Sequence, residues 1–334
     1  MEILKLPEQE RAEIFRQIRN KKGLDEVAAE KDVWVTAVLR ALFELPYSEN
    51  ISFKGGTSLS KCFNLIERFS EDIDIAINRE YFGFMGETFT VKQVSKLMRK
   101  ACCKFCRNTL QYDLAKQMLA NNVPENLFAI KMNVTDITTI DPEKIFVEYK
   151  SVFDGSAYIK NVVVLEINGR SMKEPLEKIK IRSFIDEVFA NQHFVEEPFE
   201  IQVVSPERTF LEKVCLLHEE FSKQSNLVRV ERMSRHLYDI ARMIDTPVAK
   251  KALNNKELYK SIIAHRRIFI AMKNFDYDTL LPEKINIVPP KSIIAKWEDD
   301  YKKMQTMIYG EYLAFNSVID KITHLNEQIN RIKF

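Results

Sequence analysis

A mixed α/β domain followed by a helical domain is the fold this sequence predicts, and three observations predict it. Residues 8–43 and 91–120 carry apolar side chains at helical spacing. Ile73, Ile75 and Ile77 alternate with Asp72, Asp74 and Ala76, the period of a half-buried strand. From Ser205 onward the pattern turns helical and stays so. The division is placed near 204, giving regions 1–204 and 205–334.

The elements follow in chain order. Residues 8–43 read as helix broken only by Gly23. Ile51-Ser52-Phe53-Lys54 is a short strand, Gly55-Gly56 a turn, and a helix is expected over about 58–68. The Asp72–Ile77 strand comes next, then the helical stretch 91–120. The middle of the chain is strand-rich, with candidates at 128–134, 144–149, 162–167 and 199–204. Ser205-Pro206-Glu207 is a strong helix start, with a Ser cap, Pro at the first helical position and an early acid. Ser234 is expected to cap a helix over 235–245. Pro282, Pro289 and Pro290 mark a loop, and 292–332 reads as helix.

Composition fits a globular chain of 334 residues, 46% hydrophobic and 29% charged, which is enough for two ordinary cores. No run of 18 apolar residues predicts a transmembrane helix, and a charged N-terminus is not a secretory signal. Fifty Lys and Arg against 48 Asp and Glu give a net charge of +2, which argues against a histone-like wrapper but leaves room for a local basic groove. Five cysteines, an odd number, point to reduced thiols and a cytoplasmic location.

The chemistry concentrates in Phe53–Lys61 and Arg68–Ile75. Asp72 and Asp74 sit at i and i+2 of a strand, so both carboxylates aim one way while Ile73 and Ile75 anchor the other face. Two adjacent carboxylates repel each other, and a divalent cation relieves that. Oxygen ligands with open positions suit Mg²⁺, which keeps waters and substrate phosphates in its shell. Gly55-Gly56 ends a strand and opens a helix, letting backbone approach a phosphate, with Thr57 and Ser58 adding hydroxyls. The P-loop pattern, GxGxxG, HExxH and the GxSxG elbow are all absent.

A helix-opening Gly-Gly followed by Asp72-Ile73-Asp74 resembles the DNA polymerase beta-type nucleotidyltransferases. Fifteen residues separate Gly56 from Asp72, more than that signature carries, and the excess is read as a longer helix or turn. Three further segments make the chain similar to the AbiEii/AbiGii (MenT-like) nucleotidyltransferase toxins of type IV toxin–antitoxin systems: Val164–Ser171, Ser205–Lys213 and Ser234–Ile240. The four ordered motifs span about 51–245; residues 1–50 and 250–334 carry none.

That resemblance implies a polymerase beta-type sheet with flanking helices, and an Mg²⁺-dependent transfer of NMP from an NTP to an RNA acceptor such as the tRNA 3′ end. It implies a cognate antitoxin partner and no membrane role. Asp72 and Asp74 would hold metal. Glu166 would supply a third carboxylate or base, its bland alternative being a solvent-facing strand residue. Gly55, Gly56, Thr57, Ser58 and Lys61 would cradle the triphosphate. Arg170 would pair with Glu166 or phosphate, or form a structural ion pair. Lys213 would contact phosphate, and Asp239 would complete the site in a cleft or form a surface pair with Arg235. Two other readings keep the fold: a small-molecule nucleotidyltransferase, and a non-catalytic RNA- or protein-binding module.

A basic amphipathic stretch at 92–107 carries six Lys and Arg and no acid. It is expected to turn Val94, Leu97, Met98, Ala101 and Phe105 inward, and its charge favours a phosphate backbone. Residues 250–334 add 15 Lys and Arg against 10 Asp and Glu. Cys102-Cys103-x-x-Cys106 stands alone in a helical pattern, so zinc is not expected.

Overall fold

A computed structural model describes residues 1–86, 88–153, 160–171 and 175–333; the side chain of Ser171 lies outside that description. The chain forms two compact units. The first holds residues 1–62 and 69–204, and the second holds 63–68 and 205–334.

The first unit is a mixed α/β fold. Helices α1 (Glu8–Lys22) and α2 (Glu26–Phe43) precede β1 (Ile51–Lys54), α3 (Gly55–Lys61) and β2 (Asp72–Asn78). A helical rod follows, in which α4 (Arg99–Phe105) and α5 (Gln111–Ala120) alternate with π-helical segments Gln93–Met98 and Cys106–Leu110. Then come β3 (Phe128–Met132), β4 (Glu143–Tyr149), β5 (Val162–Ser171), β6 (Leu176–Ile181), α6 (Phe184–Val188) and β7 (Phe199–Val204). The seven strands form one sheet in the order β3-β4-β5-β2-β1-β7-β6. β2 runs antiparallel to β1 and parallel to β5.

One face of the sheet is apolar. Phe53, Ile73, Ile75, Ile145, Val163 and Leu165 are buried there. Helix α2 covers this face, with Trp34 stacked on Tyr149 at 5.0 Å. The alternation that buries Ile73 and Ile75 turns Asp72 and Asp74 to the opposite face, where they are partly exposed.

Helix α2 also carries three consecutive buried charges, Glu30, Lys31 and Asp32. Lys31 pairs with Glu71 at 2.6 Å, and Asp32 pairs with Lys61 at 2.6 Å. Burying a charge is costly unless it is paired, so these two bridges fix both chain ends that flank residues 63–68.

The second unit is helical: α7 (Pro206–Phe221), α8 (Ser234–Met243), α9 (Pro247–Asn254), α10 (Lys256–His265), α11 (Ile294–Met304) and α12 (Phe315–Asn330). Trp297 and Tyr301 of α11 and Tyr238 of α8 are fully buried. Ser205 caps α7, accepting a hydrogen bond from the Arg208 N–H, with Pro206 in the first turn.

Four expectations need correction. The helix after Gly55-Gly56 ends at Lys61, not near 68. The extra length before Asp72 is a connector: Asn64 takes a left-handed φ of 51°, Arg68 bridges to Ile308, and the Tyr309 N–H donates to the Glu67 carbonyl. Ser234 does not cap α8. It lies inside the first turn, and Asp300 caps from outside, accepting from the Arg232 and Ser234 N–H groups and the Ser234 hydroxyl at 2.6–2.9 Å. The helix expected over 292–332 is split into α11 and α12 by residues 305–314, where Gly310 sits against Glu67 with no room for a Cβ. Strand β6 was not expected; its alternation is short, Lys178-Ile179-Lys180-Ile181, and its residues are mostly exposed.

Candidate active site

The Gly-Gly turn and the carboxylate strand meet directly in the first unit. β1 pairs with β2 so that Lys54 stands opposite Asp74. Gly55 follows at once, with a left-handed φ of 84°. A Cβ at Gly55 would lie 1.9 Å from Asp74 Oδ2 and 2.8 Å from its Cγ. Glycine is therefore required twice, by the backbone angle and by the carboxylate that occupies the space a side chain would fill. The Thr57 hydroxyl donates to the Asp72 carbonyl at 2.5 Å and ties α3 to β2.

The register on the other side of β2 places Glu166 opposite Asp74, and Val164 opposite Asp72. Partners in register share a sheet face. Lys144 of β4 in turn stands opposite Glu166 and pairs with it at 2.5 Å. A row of alternating charge thus crosses four strands: Lys54, Asp74, Glu166, Lys144. The donor set fits a hard cation that brings its own waters and phosphates, because Asp72 and Asp74 are partly exposed carboxylates on one face. Among the described residues, no group of three or more His, Cys, Asp or Glu stands close enough to cage a metal by itself.

Several residues expected in this site are held elsewhere. Lys61 is buried on Asp32. The Ser58 hydroxyl is buried and donates to the Gly55 carbonyl at 2.9 Å; like that of Thr57, it closes a backbone group rather than facing a ligand. Arg170 is buried and pairs with Asp141, not Glu166. Burial lowers the Arg170 guanidinium pKa, with Asp141 opposing.

The second unit builds its own charged cluster. Asp239 of α8 is fully buried and accepts two hydrogen bonds from Arg68, at 2.7 and 2.8 Å. Lys213 of α7 lies 2.9 Å from the same carboxylate and 3.3 Å from His236 Nδ1. Burial works to raise the Asp239 pKa, but Arg68 and Lys213 outweigh it and hold the carboxyl well below its usual range. Burial lowers Lys213, with Asp239 opposing, and lowers His236 strongly, with Lys213 adding to the effect. Asp239 is thus a buried hub and not half of a surface pair. Sequence reasoning missed Arg68, although it lies within a motif segment; it also missed Lys54 and Lys144, whose signal is strand register.

Comparison with known proteins decides the family. The profile described as "Nucleotidyl transferase AbiEii toxin, Type IV TA system" matches residues 37–321. The chain belongs to this AbiEii family of nucleotidyltransferase toxins. The match takes in the Gly-Gly turn, the Asp72/Asp74 strand, Glu166, Lys213 and Asp239. No curated protein sequence matches this AbiEii-family chain. Similar solved structures include MenT4, a nucleotidyltransferase toxin from Mycobacterium tuberculosis, at 17% identity over 97% of this chain and 99% of that one, with a TM-score of 0.43. JHP933 from Helicobacter pylori matches at 16% identity over 92% and 94%, with a TM-score of 0.44. Among the described residues, no helix is long and apolar enough to cross a membrane.

Proposed function

We propose that this AbiEii-family chain is an Mg²⁺-dependent toxin that transfers NMP from an NTP to an RNA acceptor such as the tRNA 3′ end, and that a cognate antitoxin restrains it in the cytoplasm. The observation that carries this reading is the Asp74 carboxylate seated against Gly55, with Asp72 beside it and Glu166 in register. In the reaction, an acceptor hydroxyl oxygen forms a bond to the α-phosphorus, the bond to the bridging oxygen breaks, and pyrophosphate leaves. Asp72 and Asp74 are the proposed metal ligands; Mg²⁺, when bound, neutralises phosphate charge and polarises the α-phosphate.

The chain's own groups carry the rest. The Gly55-Gly56 backbone, free of side chains, is the proposed phosphate rest. Glu166 is the proposed third carboxylate, or the base that takes the acceptor hydroxyl proton, and Lys144 competes for it. Within the second unit, Asp239 holds Lys213 in place and opposes the effect of burial on its charge; Lys213 is the proposed phosphate contact. Lys61, Thr57, Ser58 and Arg170 are assigned structural roles instead.

The test is transfer of each α-labelled NTP, with Mg²⁺, onto total tRNA, beside an Asp72→Ala/Asp74→Ala protein. Label on RNA that vanishes in the variant is the expected result. Absence of label with all four nucleotides overturns the RNA reading.

A further inference from the structure

The rod from Gln93 to Ala120 obeys a period of four. Every fourth residue from Val94 to Met118 is buried, without exception. Every fourth residue from Lys92 to Lys116 is exposed: Lys92, Lys96, Lys100 and Lys104, then Asn108, Tyr112 and Lys116. An α-helix advances about 100° per residue, so a four-residue step overshoots a full turn by about 40°. Over 24 residues, uninterrupted α-helix would wind such stripes through well over half a circle. The two π segments, with their looser i→i+5 winding, take up that excess and keep both stripes straight. This also explains why Leu97, expected inward, is exposed.

We infer that the exposed stripe is a docking track for the sugar-phosphate backbone of an RNA strand; the inference rests on the proposed RNA acceptor. Successive lysines are about 6 Å apart along the axis, comparable to the separation of neighbouring phosphates. Residues 88–112 contain no acid. The arginines of the rod are less exposed than the lysines, and Arg107 is bound to Glu143 and to the Thr135 and Ile137 carbonyls. The cations left facing solvent are therefore the lysines in line. Tyr112, 65% exposed on the same line, offers a ring on which a base can stack. A membrane is the poorer fit, because the apolar stripe that would insert is buried in the first unit.

The experiment measures binding of labelled tRNA to the full-length protein, without NTP, across a range of salt. Lys96→Gln/Lys100→Gln/Lys104→Gln should flatten the log-affinity versus log-salt slope by roughly two, and the corresponding Glu variant should weaken binding at least about tenfold. Tyr112→Ala should weaken it about tenfold at high salt. The same three-charge reversal at Lys250, Lys251 and Lys260 is the control and should matter far less. Circular dichroism and thermal midpoints confirm folding of each variant. Wild-type affinity in the stripe variants overturns the track, as does an equal loss in the control. So does unchanged RNA binding with loss of an acidic antitoxin. If the wild type labels RNA and the stripe variants bind RNA as tightly as it does, the track alone is overturned; a wild type that neither binds nor labels RNA overturns the RNA acceptor as well.

Discussion

Asp74 fills the space that a side chain on Gly55 would need: Oδ2 lies 1.9 Å from where the Cβ would stand. The glycine turn and the carboxylate strand are thus one structural unit, although 18 residues of chain lie between these two. Gly55→Ala should displace Asp74 and impose a left-handed backbone on alanine, at about 1–2 kcal/mol. We expect transfer to fall by on the order of 10²-fold or more, while circular dichroism stays native and the thermal midpoint drops by a few degrees. Wild-type transfer by Gly55→Ala would remove Asp74 placement from the mechanism.

The carboxylates should separate by depth of effect. Asp74→Asn removes a proposed metal ligand and should lower transfer by on the order of 10³-fold. Chelation with EDTA should have an equal effect on the wild type and be reversed by Mg²⁺. Glu166 already shares its charge with Lys144 at 2.5 Å, so Glu166→Gln should cost less, about tenfold to a hundredfold. Lys144→Met frees Glu166 and should lower the Mg²⁺ concentration needed for half-maximal rate. An unchanged Mg²⁺ dependence in both variants would confine Glu166 to a strand-pairing role.

The strand and the helix start that matter most were readable because their signals are local and chemically distinct. Alternation of Ile with Asp over 72–77 gave strand, face and carboxylate direction at once, and Ser205-Pro206 gave the start of α7. What escaped depends on distant partners. Lys61 carries no local sign of Asp32, 29 residues away, on which it is held. Arg68 lacks any local signal for a partner 171 residues away. Ser234 looks like a cap because nothing near it reveals Asp300. The residues 63–68 excursion into the second unit hides as a helix, since six residues are too few to show a period.

Acid should weaken the second unit in two stages with different owners. The His236 pKa is lowered in the fold, as is that of His218, in each case chiefly by burial. The unfolded chain therefore takes up protons first, and stability falls as pH drops below about 6.5. His236→Gln should reduce that slope between pH 7 and 5, and His236→Gln/His218→Gln should reduce it further. Asp239 acts in the same direction, at lower pH. Its pKa is depressed, so its contribution is complete above about pH 4 and is lost only as pH falls toward the folded value. Asp239→Asn should destabilise at neutral pH by about 3–5 kcal/mol, because Arg68 and Lys213 then lose their buried counter-charge. Urea unfolding at a series of pH values checks both stages.

The Lys61–Asp32 bridge separates a structural lysine from a phosphate-binding one. Both side chains are buried, and Asp32 also accepts from the Phe184 N–H at 2.7 Å. Burial pushes the Asp32 pKa up against the pull of Lys61. Removing the lysine alone, as in Lys61→Met, strands a buried carboxylate and should cost about 3–5 kcal/mol, less at acid pH where Asp32 takes up a proton. Lys61→Met/Asp32→Asn removes both charges and keeps an acceptor for the Phe184 amide, so most of the stability should return. If Lys61 is structural, that double variant transfers nucleotide with a KM for NTP near the wild-type value. If its ammonium binds triphosphate, KM rises about as much in the double variant as in the single one, whatever the stability, and Lys61 returns to the site.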